Sequence, residues 1–221
     1  MQRKVVLTAD GSRTIHLEEW NENYHSHHGA LQEAKHVFID KVRERVDDCK
    51  EITILELGFG TGLNTMLTIE LALELQIKIN YITLEAYPVS IEEIIELNYT
   101  EIWEDGKEFY SAMHECDWEE KNEIHPLFSL TKYQTQFEDW QETSNTIDFI
   151  YFDAFGPRVQ PHLWTIPIFE KMFCCSKNGA FFLTYCAKGQ VRRDLESVGW
   201  KMSRLPGPPG KREMLVGEKV L

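Results

Sequence analysis

Ile52-Thr-Ile-Leu-Glu-Leu-Gly58-Phe-Gly-Thr-Gly62 places an apolar run directly before three glycines at alternate positions. A strand that ends in closely spaced glycines and then feeds a helix makes a loop with no side-chain wall, so a flat cofactor can lie on the bare backbone. A plain strand-to-helix turn would not require the entropic cost of three glycines. The spacing is G-x-G-x-G, whereas the dinucleotide fingerprint is G-x-G-x-x-G, and its third glycine would fall at Leu63. That disfavours a pyrophosphate ligand. S-adenosylmethionine has no phosphate and needs backbone contact to its ribose and amino-acid portions, which Gly58, Gly60 and Gly62 can provide.

Two more strand ends carry acids. Glu85 closes Tyr81-Ile-Thr-Leu-Glu85, at about the offset from the glycine loop at which ribose-binding acids occur. A carboxylate there can accept from both ribose hydroxyls. Asp153 closes Ile150-Tyr-Phe-Asp153 and opens Asp153-Ala-Phe-Gly-Pro157. A carboxylate at that edge can hold an incoming amine and take or relay its proton, and Phe155 and Pro157 would help exclude water. Each acid alone could equally be an ordinary strand-end or N-cap residue. Their combination with the glycine loop describes a nucleotide-type site along the carboxyl edge of an open α/β sheet.

Outward from this centre, apolar and helical patterns alternate. Strand 52–57 leads to helix 63–75, and strand 79–85 to a helix near Ser90–Leu97. A third strand is expected at Phe128–Leu130, a short helix at Phe137–Gln141, strand 147–152, helix 164–176, strand 179–186 and helix 189–198. The acidic, aromatic stretch 99–125 reads as a helical insertion. Before the core, Val5–Thr8 and Thr14–Leu17 flank the turn signal Asp10-Gly11, and residues 30–46 read as a helix. The expected division is an extension over 1–48 and a catalytic domain over 49–221. At the far end, 200–204 and 212–216 are joined by Leu205-Pro-Gly-Pro-Pro-Gly210 with no helix between, so these strands must be antiparallel. A parallel α/β sheet closed by an antiparallel hairpin is the pattern of class I, Rossmann-like methyltransferases, with strand order 3-2-1-4-5-7-6.

The 221 residues suit one domain with small additions. No stretch is apolar and long enough to cross a bilayer, and Met1-Gln-Arg-Lys-Val lacks a secretory h-region, so a cytoplasmic protein without membrane contact is expected. The five cysteines are odd in number and form no C-x-x-C pair, so they read as packed, reduced thiols. His25, His27, His28 and His36 invite a metal reading, but no suitably spaced carboxylate or cysteine joins them; no metal is expected, and the stretch reads as a loop folding over the cofactor. The net charge of −13 argues at first against nucleic acid. From Lys188 onward, however, eight Lys/Arg face four acids, which leaves 15 basic and 32 acidic residues in the remainder. That basic tail is either a solvated face or an edge for a polyanion. Trp164 is a core residue or a stacking platform beside the Asp153 loop.

Gly58-Phe-Gly-Thr-Gly-Leu-Asn64, Asp153-Ala-Phe-Gly-Pro157 with Pro161 and Trp164, Gly189-Gln-Val-Arg-Arg193 and Lys211-Arg-Glu-Met214 together resemble the methyltransferase domain of the MnmC family, with weaker similarity over Tyr24–Phe38. The resemblance spans about residues 20–218. It implies tRNA as partner and S-adenosylmethionine-dependent methylation of the primary amine of 5-aminomethyl-(2-thio)uridine at the wobble position. Carried over, Gly58, Phe59, Gly60, Thr61, Gly62, Asn64, Glu85 and Ala86 would serve the cofactor. Asp153 would engage the amine, and Tyr24, Phe155, Pro157, Trp164, Lys211 and Arg212 would frame the nucleotide. The family tends to carry an acid after the third strand, near the adenine. Here the segment is Tyr133-Gln-Thr-Gln-Phe137, so Gln134 or Gln136 takes its place, with Gln134 the first choice. Full-length members add a flavin oxidase domain; with the chain ending at Leu221, methylation alone and no flavin are expected.

Two other readings stay open. One is a methyl- or aminopropyltransferase for a small amine, which the net acidity favours. The other is a non-catalytic RNA- or cofactor-binding protein. The sequence leaves the oligomeric state open, a monomer being one possibility.

Overall fold

The computed structural model describes residues 2–46, 49–141 and 145–220. The chain opens with a small antiparallel sheet of β1 (Arg3–Leu7), β2 (Arg13–Leu17) and the two-residue β3 (Glu22–Asn23), which the sequence pattern did not reveal. Helix α1 (Ala30–Ala34) runs through a π-helical turn (Lys35–Ile39) into α2 (Asp40–Arg43). The expected boundary at residue 48 falls outside the described residues.

The core then alternates. Strand β4 (Glu51–Leu57) leads to α3 (Leu63–Leu75), and β5 (Lys78–Leu84) to α4 (Ile91–Ile95), which starts with a capping box between Ser90 and Glu93. Short helices α5 (Tyr99–Ile102) and α6 (Lys107–Glu115) follow, then β6 (Lys121–His125), β7 (Phe128–Tyr133) and β8 (Ile147–Phe152). Helix α7 (Ile166–Cys175), β9 (Ser176–Thr184), α8 (Gly189–Val198), β10 (Trp200–Pro206) and β11 (Glu213–Lys219) complete the chain.

The main sheet has eight strands in the order β10-β11-β9-β8-β4-β5-β7-β6. Numbered from β4 as the first core strand and leaving out β6, this is the expected 3-2-1-4-5-7-6. The final hairpin is antiparallel and pairs Leu205 with Met214. The stretch 99–125 is helical only in part, because its last five residues form the antiparallel edge strand β6 on β7. A short strand with charges at its exposed positions is a natural sheet edge. The expected helix at Phe137–Gln141 is instead a turn. Lys171 Nζ takes the carbonyls of Phe137, Glu138 and Trp140 at 3.1, 2.5 and 2.7 Å, so those oxygens are not left for helical N–H groups.

Both faces of the central strands are covered. Ile52, Ile54, Leu55 and Leu57 of β4 are all buried, as expected for a parallel sheet with helices on both sides. One core packs α3 and the α1–α2 segment against the sheet, with Phe38 stacked on Tyr151 at 4.7 Å. The other packs α7 and α8 behind β8, β9 and β11, around Phe152, Phe169, Phe182 and Trp200.

Candidate active site

The parallel register decides what meets at the sheet edge. Leu57 of β4 lies opposite Leu84 of β5 and Phe152 of β8. The next residue on each strand is therefore Gly58, Glu85 and Asp153, and the three leave the sheet side by side, one strand spacing apart.

Gly58, Gly60 and Gly62 have φ values of 96°, 51° and 74°, a region that only glycine enters without strain. Space adds a second reason. A Cβ on Gly62 would meet Met113 Cε at 2.4 Å, and one on Gly60 would meet the Tyr24 ring at 3.0 Å. The turn is pinned to its neighbours: Gly58 N–H donates to Leu84 O at 2.9 Å, and Gly60 N–H donates to Glu85 Oε2 at 3.0 Å. The other Glu85 oxygen accepts from Tyr87 N–H at 2.9 Å. The carboxylate is thus fixed by two backbone donors and keeps further lone pairs for ligand hydroxyls.

These elements form the floor of a cavity of about 550 Å3. Its walls include Trp20 to His28, Glu33, Gln136, Phe137, Phe155, Leu163 and Tyr185. Phe155 meets Trp20 and Tyr24 edge-on at 5.5 and 5.1 Å, closing one side with aromatic surface. Burial and the nearby Glu85 charge push the Tyr24 phenol up to about 12, so it stays neutral. Burial also drives His25 down to about 4, which makes it a neutral imidazole, with Nδ1 3.0 Å from Thr14 Oγ1. Among the described residues, no three His, Cys, Asp or Glu side chains are placed to hold a metal ion.

Asp153 is partly buried at the cavity wall, and Asn64 Nδ2 donates to its Oδ2 at 2.8 Å. Desolvation, reinforced by the Glu33 charge, pushes its carboxyl up to about 7; Asn64 and Lys211 pull it back only in part. An acid that titrates near neutrality can take up and give up a proton under physiological conditions. Lys211 reaches the site from the turn between β10 and β11. Its Nζ pairs with Glu33 Oε1 and sits 3.8 Å above the Tyr185 ring.

The cavity is lined by Tyr24, Gly58, Phe59, Gly60, Thr61, Asn64, Glu85, Ala86, Asp153, Phe155 and Lys211 of the predicted set. Gly62 does not line it but caps α3 just beyond the turn. Four further predicted residues lie elsewhere. Gln134 is exposed and does not line the cavity; Gln136, two residues on, takes a wall position. Trp164 is 6% exposed and does not line the cavity. Its indole N–H donates to Phe155 O at 2.8 Å, so it anchors the Asp153 loop from behind. Arg212 and Pro157 are also absent from the walls. Arg212 is exposed and neighbours Lys211, which turns inward to Glu33. Glu33 and Tyr185 escaped sequence reasoning. Glu33 is one acid among many on the expected helix 30–46, and Tyr185 falls inside the expected strand 179–186, whereas the strand ends at Thr184.

A family model described as S-adenosyl-L-methionine-dependent methyltransferase matches residues 98–220. The chain belongs to this family. S-adenosylmethionine is therefore its methyl donor, and the bare-peptide turn with Glu85 beside it suits that group. The methyltransferase is 31% identical over 226 residues to the tRNA 5-methylaminomethyl-2-thiouridine biosynthesis bifunctional protein MnmC of Leptospira interrogans. The alignment covers 96% of this chain and 35% of that protein. MnmC of Actinobacillus pleuropneumoniae is 27% identical over 239 residues, with the same coverage. The chain thus spans about a third of the length of the curated relatives it matches. The crystal structure of MnmC2 from Aquifex aeolicus superposes with a TM-score of 0.75 over all of this chain and 72% of that one, at 22% identity, a likeness of fold.

Proposed function

We propose that this methyltransferase methylates the primary amine of 5-aminomethyl-(2-thio)uridine at the wobble position of tRNA, giving the methylaminomethyl base. One observation carries the reading: the β4–β5–β8 register puts the glycine turn, Glu85 and Asp153 at adjacent strand ends of one cavity. The likeness to the tRNA-modifying MnmC proteins over 96% of the chain supports the choice of substrate.

S-adenosylmethionine supplies an electrophilic methyl group. The amide groups of Gly58–Gly62 and the Glu85 carboxylate would hold it, with Ala86, Gln136 and Phe137 along its far side. Toward the amine, Asp153 Oδ1 is the oxygen without a hydrogen-bond partner among the described residues, because Oδ2 is bonded to Asn64. An alkylamine is protonated at neutral pH and has no lone pair to offer, so Asp153 first holds the ammonium and then carries away its proton. Tyr24, Phe155 and Trp20 keep water from the reacting groups. The rate should rise as pH climbs through about 7, because Asp153 acts in its ionised form. A kcat–pH profile flat from 6 to 8 would contradict this role.

In this reading residues 1–48 form an extension that closes over the catalytic domain, and the work takes place in the cytoplasm, where tRNA is. The tRNA backbone would run past exposed Lys188, at the start of α8, and Arg212, beside the cavity. A small-amine transferase is the alternative, and the presence of Glu33 near Asp153 favours it. Lys211 offsets that charge, which leaves one unmatched acid at the amine. The decisive assay is nucleoside analysis of under-methylated tRNA incubated with the protein and S-adenosylmethionine. Methylaminomethyl nucleoside should accumulate, and the activity should fall steeply with added salt as phosphate contacts are screened. Methyl transfer to free polyamines but not to tRNA would replace this reading.

A further inference from the structure

The helical part of the acidic, aromatic insertion lies directly behind the glycine turn, and its residues divide by face. Lys107, Glu108, Ser111 and Glu115 of α6 are exposed, whereas Tyr110 and Met113 are buried. With His114 they share one side of the helix, at spacings of three and four. Tyr110 Oη donates to Thr61 O at 3.1 Å in a buried bond. Tyr99 Oη, from α5, lies 3.4 Å from Thr61 Oγ1. Met113 and His114 close over Gly62, where a Cβ would stand 2.4 Å from Met113 Cε and 2.9 Å from His114 Nε2. The Phe59 ring packs on His114 at 5.2 Å and Trp118 at 6.1 Å. Helix α6 is itself anchored. Lys132, fully buried in β7, donates through Nζ to Met113 O and His114 O at 2.9 and 3.0 Å. A cation thus sits on the last-turn carbonyls, where the helix dipole favours it.

We propose that this insertion is a brace for the donor site and that Tyr110 is its positioning residue: the hydroxyl holds the Thr61 carbonyl, and with it the glycine turn, in the conformation that accepts S-adenosylmethionine. The glycines create the need for a brace. Gly58, Gly60 and Gly62 carry no side chain to restrict them, so the free turn has many conformations of similar energy. Its cavity side must stay bare for the donor, so the contacts that select one conformation come from behind and from the ends. Gly58 and Gly60 are tied to the end of β5 through Leu84 O and the Glu85 carboxylate. Gly62 N–H returns to Phe59 O at 2.8 Å within the turn. Thr61 and Gly62, at the entry to α3, are held by the insertion. A donor that binds one conformation loses affinity in proportion to the fraction of molecules that hold it. Loss of one buried hydroxyl-to-carbonyl bond lowers that fraction by about two- to tenfold.

The brace rests on the donor lying at the glycine turn, as proposed above, and its test needs no tRNA. Calorimetric titration of the full chain with S-adenosylmethionine compares three variants with the parent. Y110F keeps the ring and removes the hydroxyl, so its Kd should rise by about two- to tenfold. S176A removes a buried bond of the same kind at the end of α7, from Ser176 Oγ to Met172 O at 2.7 Å. It should cost comparable stability in denaturant melts and leave Kd unchanged. E85Q alters the bed itself and should weaken binding by about tenfold or more. Hydrogen exchange gives a second readout: without donor, the amides of 58–62 should exchange faster in Y110F and at the parent rate in S176A. A Y110F protein that binds as tightly as the parent, or a loss that S176A matches, would overturn the brace, while a weakened E85Q would keep the donor at the turn. Unchanged affinity in both Y110F and E85Q would remove the donor from the turn and the brace with it. Should Y110F fail to fold, Y99F decides: loss of the hydroxyl beside Thr61 Oγ1 should raise Kd by about two- to threefold and speed exchange over 58–62, and no change in either would overturn the proposal.

Discussion

The floor and the roof of the cavity are built by different physics. The floor consists of the glycine turn, Glu85 and Asp153, and backbone register places it: three parallel strands end together, and amide groups of Gly60 and Tyr87 fix the Glu85 carboxylate. The roof is the segment from Trp20 to Glu33, held by side chains that reach across large sequence distances. Arg158 pairs with Glu22 and Lys211 pairs with Glu33, while Arg3 of the same small sheet bonds to Glu93 at 3.1 Å and to Tyr87 O at 2.7 Å. A strand edge inside a doubly covered sheet cannot shift without breaking its core, whereas an exposed pair such as Arg158–Glu22 can open and close at small cost. The contrast suits an enzyme whose methyl donor lies on a fixed bed.

Substitutions can break or sharpen this division. The largest effect should come from Asp153→Asn on the floor, which removes the proton acceptor. Turnover should fall by roughly 10²–10⁴, as for loss of a general base, while calorimetry should find S-adenosylmethionine affinity within about threefold. Equal loss of both would mean that Asp153 serves the donor and not the amine. Next, Gly62→Ala forces a side chain onto a residue at φ 74° and against Met113. A cost of about 1–3 kcal/mol in unfolding free energy is expected, with donor binding weakened as the turn deforms.

In the roof, Lys211→Met leaves the buried Glu33 without its cation. A loss of about 1–3 kcal/mol should appear in denaturant melts, and the Glu33→Gln, Lys211→Met pair should recover most of it. If the double variant is no better, the pair is not what holds the roof. The smallest effect belongs to Arg158→Ala. This pair is exposed on both sides, so stability should change by about 0.2–1 kcal/mol. Its consequence should be seen in KM for tRNA, with kcat little altered.

Legibility in the sequence divides along the same line. Each floor residue sits at a strand end that apolar runs mark locally, and the glycines announce their own conformations. The late antiparallel hairpin could be deduced because its connection is too short for a crossover. The roof left weaker signs. The Tyr24–His28 stretch was legible as a covering loop, but nothing local ties Glu33 to a lysine 178 residues later. Two aromatics illustrate the limit. Phe155 and Trp164 flank the same loop, yet one faces the cavity and the other anchors the loop through a backbone carbonyl. Composition cannot separate them, because the difference is a matter of which way each ring turns. Gln134 and Gln136 divide in the same way.

By itself the chain of residues determined the alternation of strands and helices, the closing hairpin, the bare turn for the donor and the acids at its rim, because hydrophobic period, glycine spacing and loop length are local quantities; the strand order came with the likeness to class I methyltransferases. Only the folded molecule decided which charges meet. The raised carboxyl of Asp153 and the pairing of Glu33 with Lys211 depend on burial and on neighbours distant in sequence, and electrostatic energy is set by distance and solvent access in space.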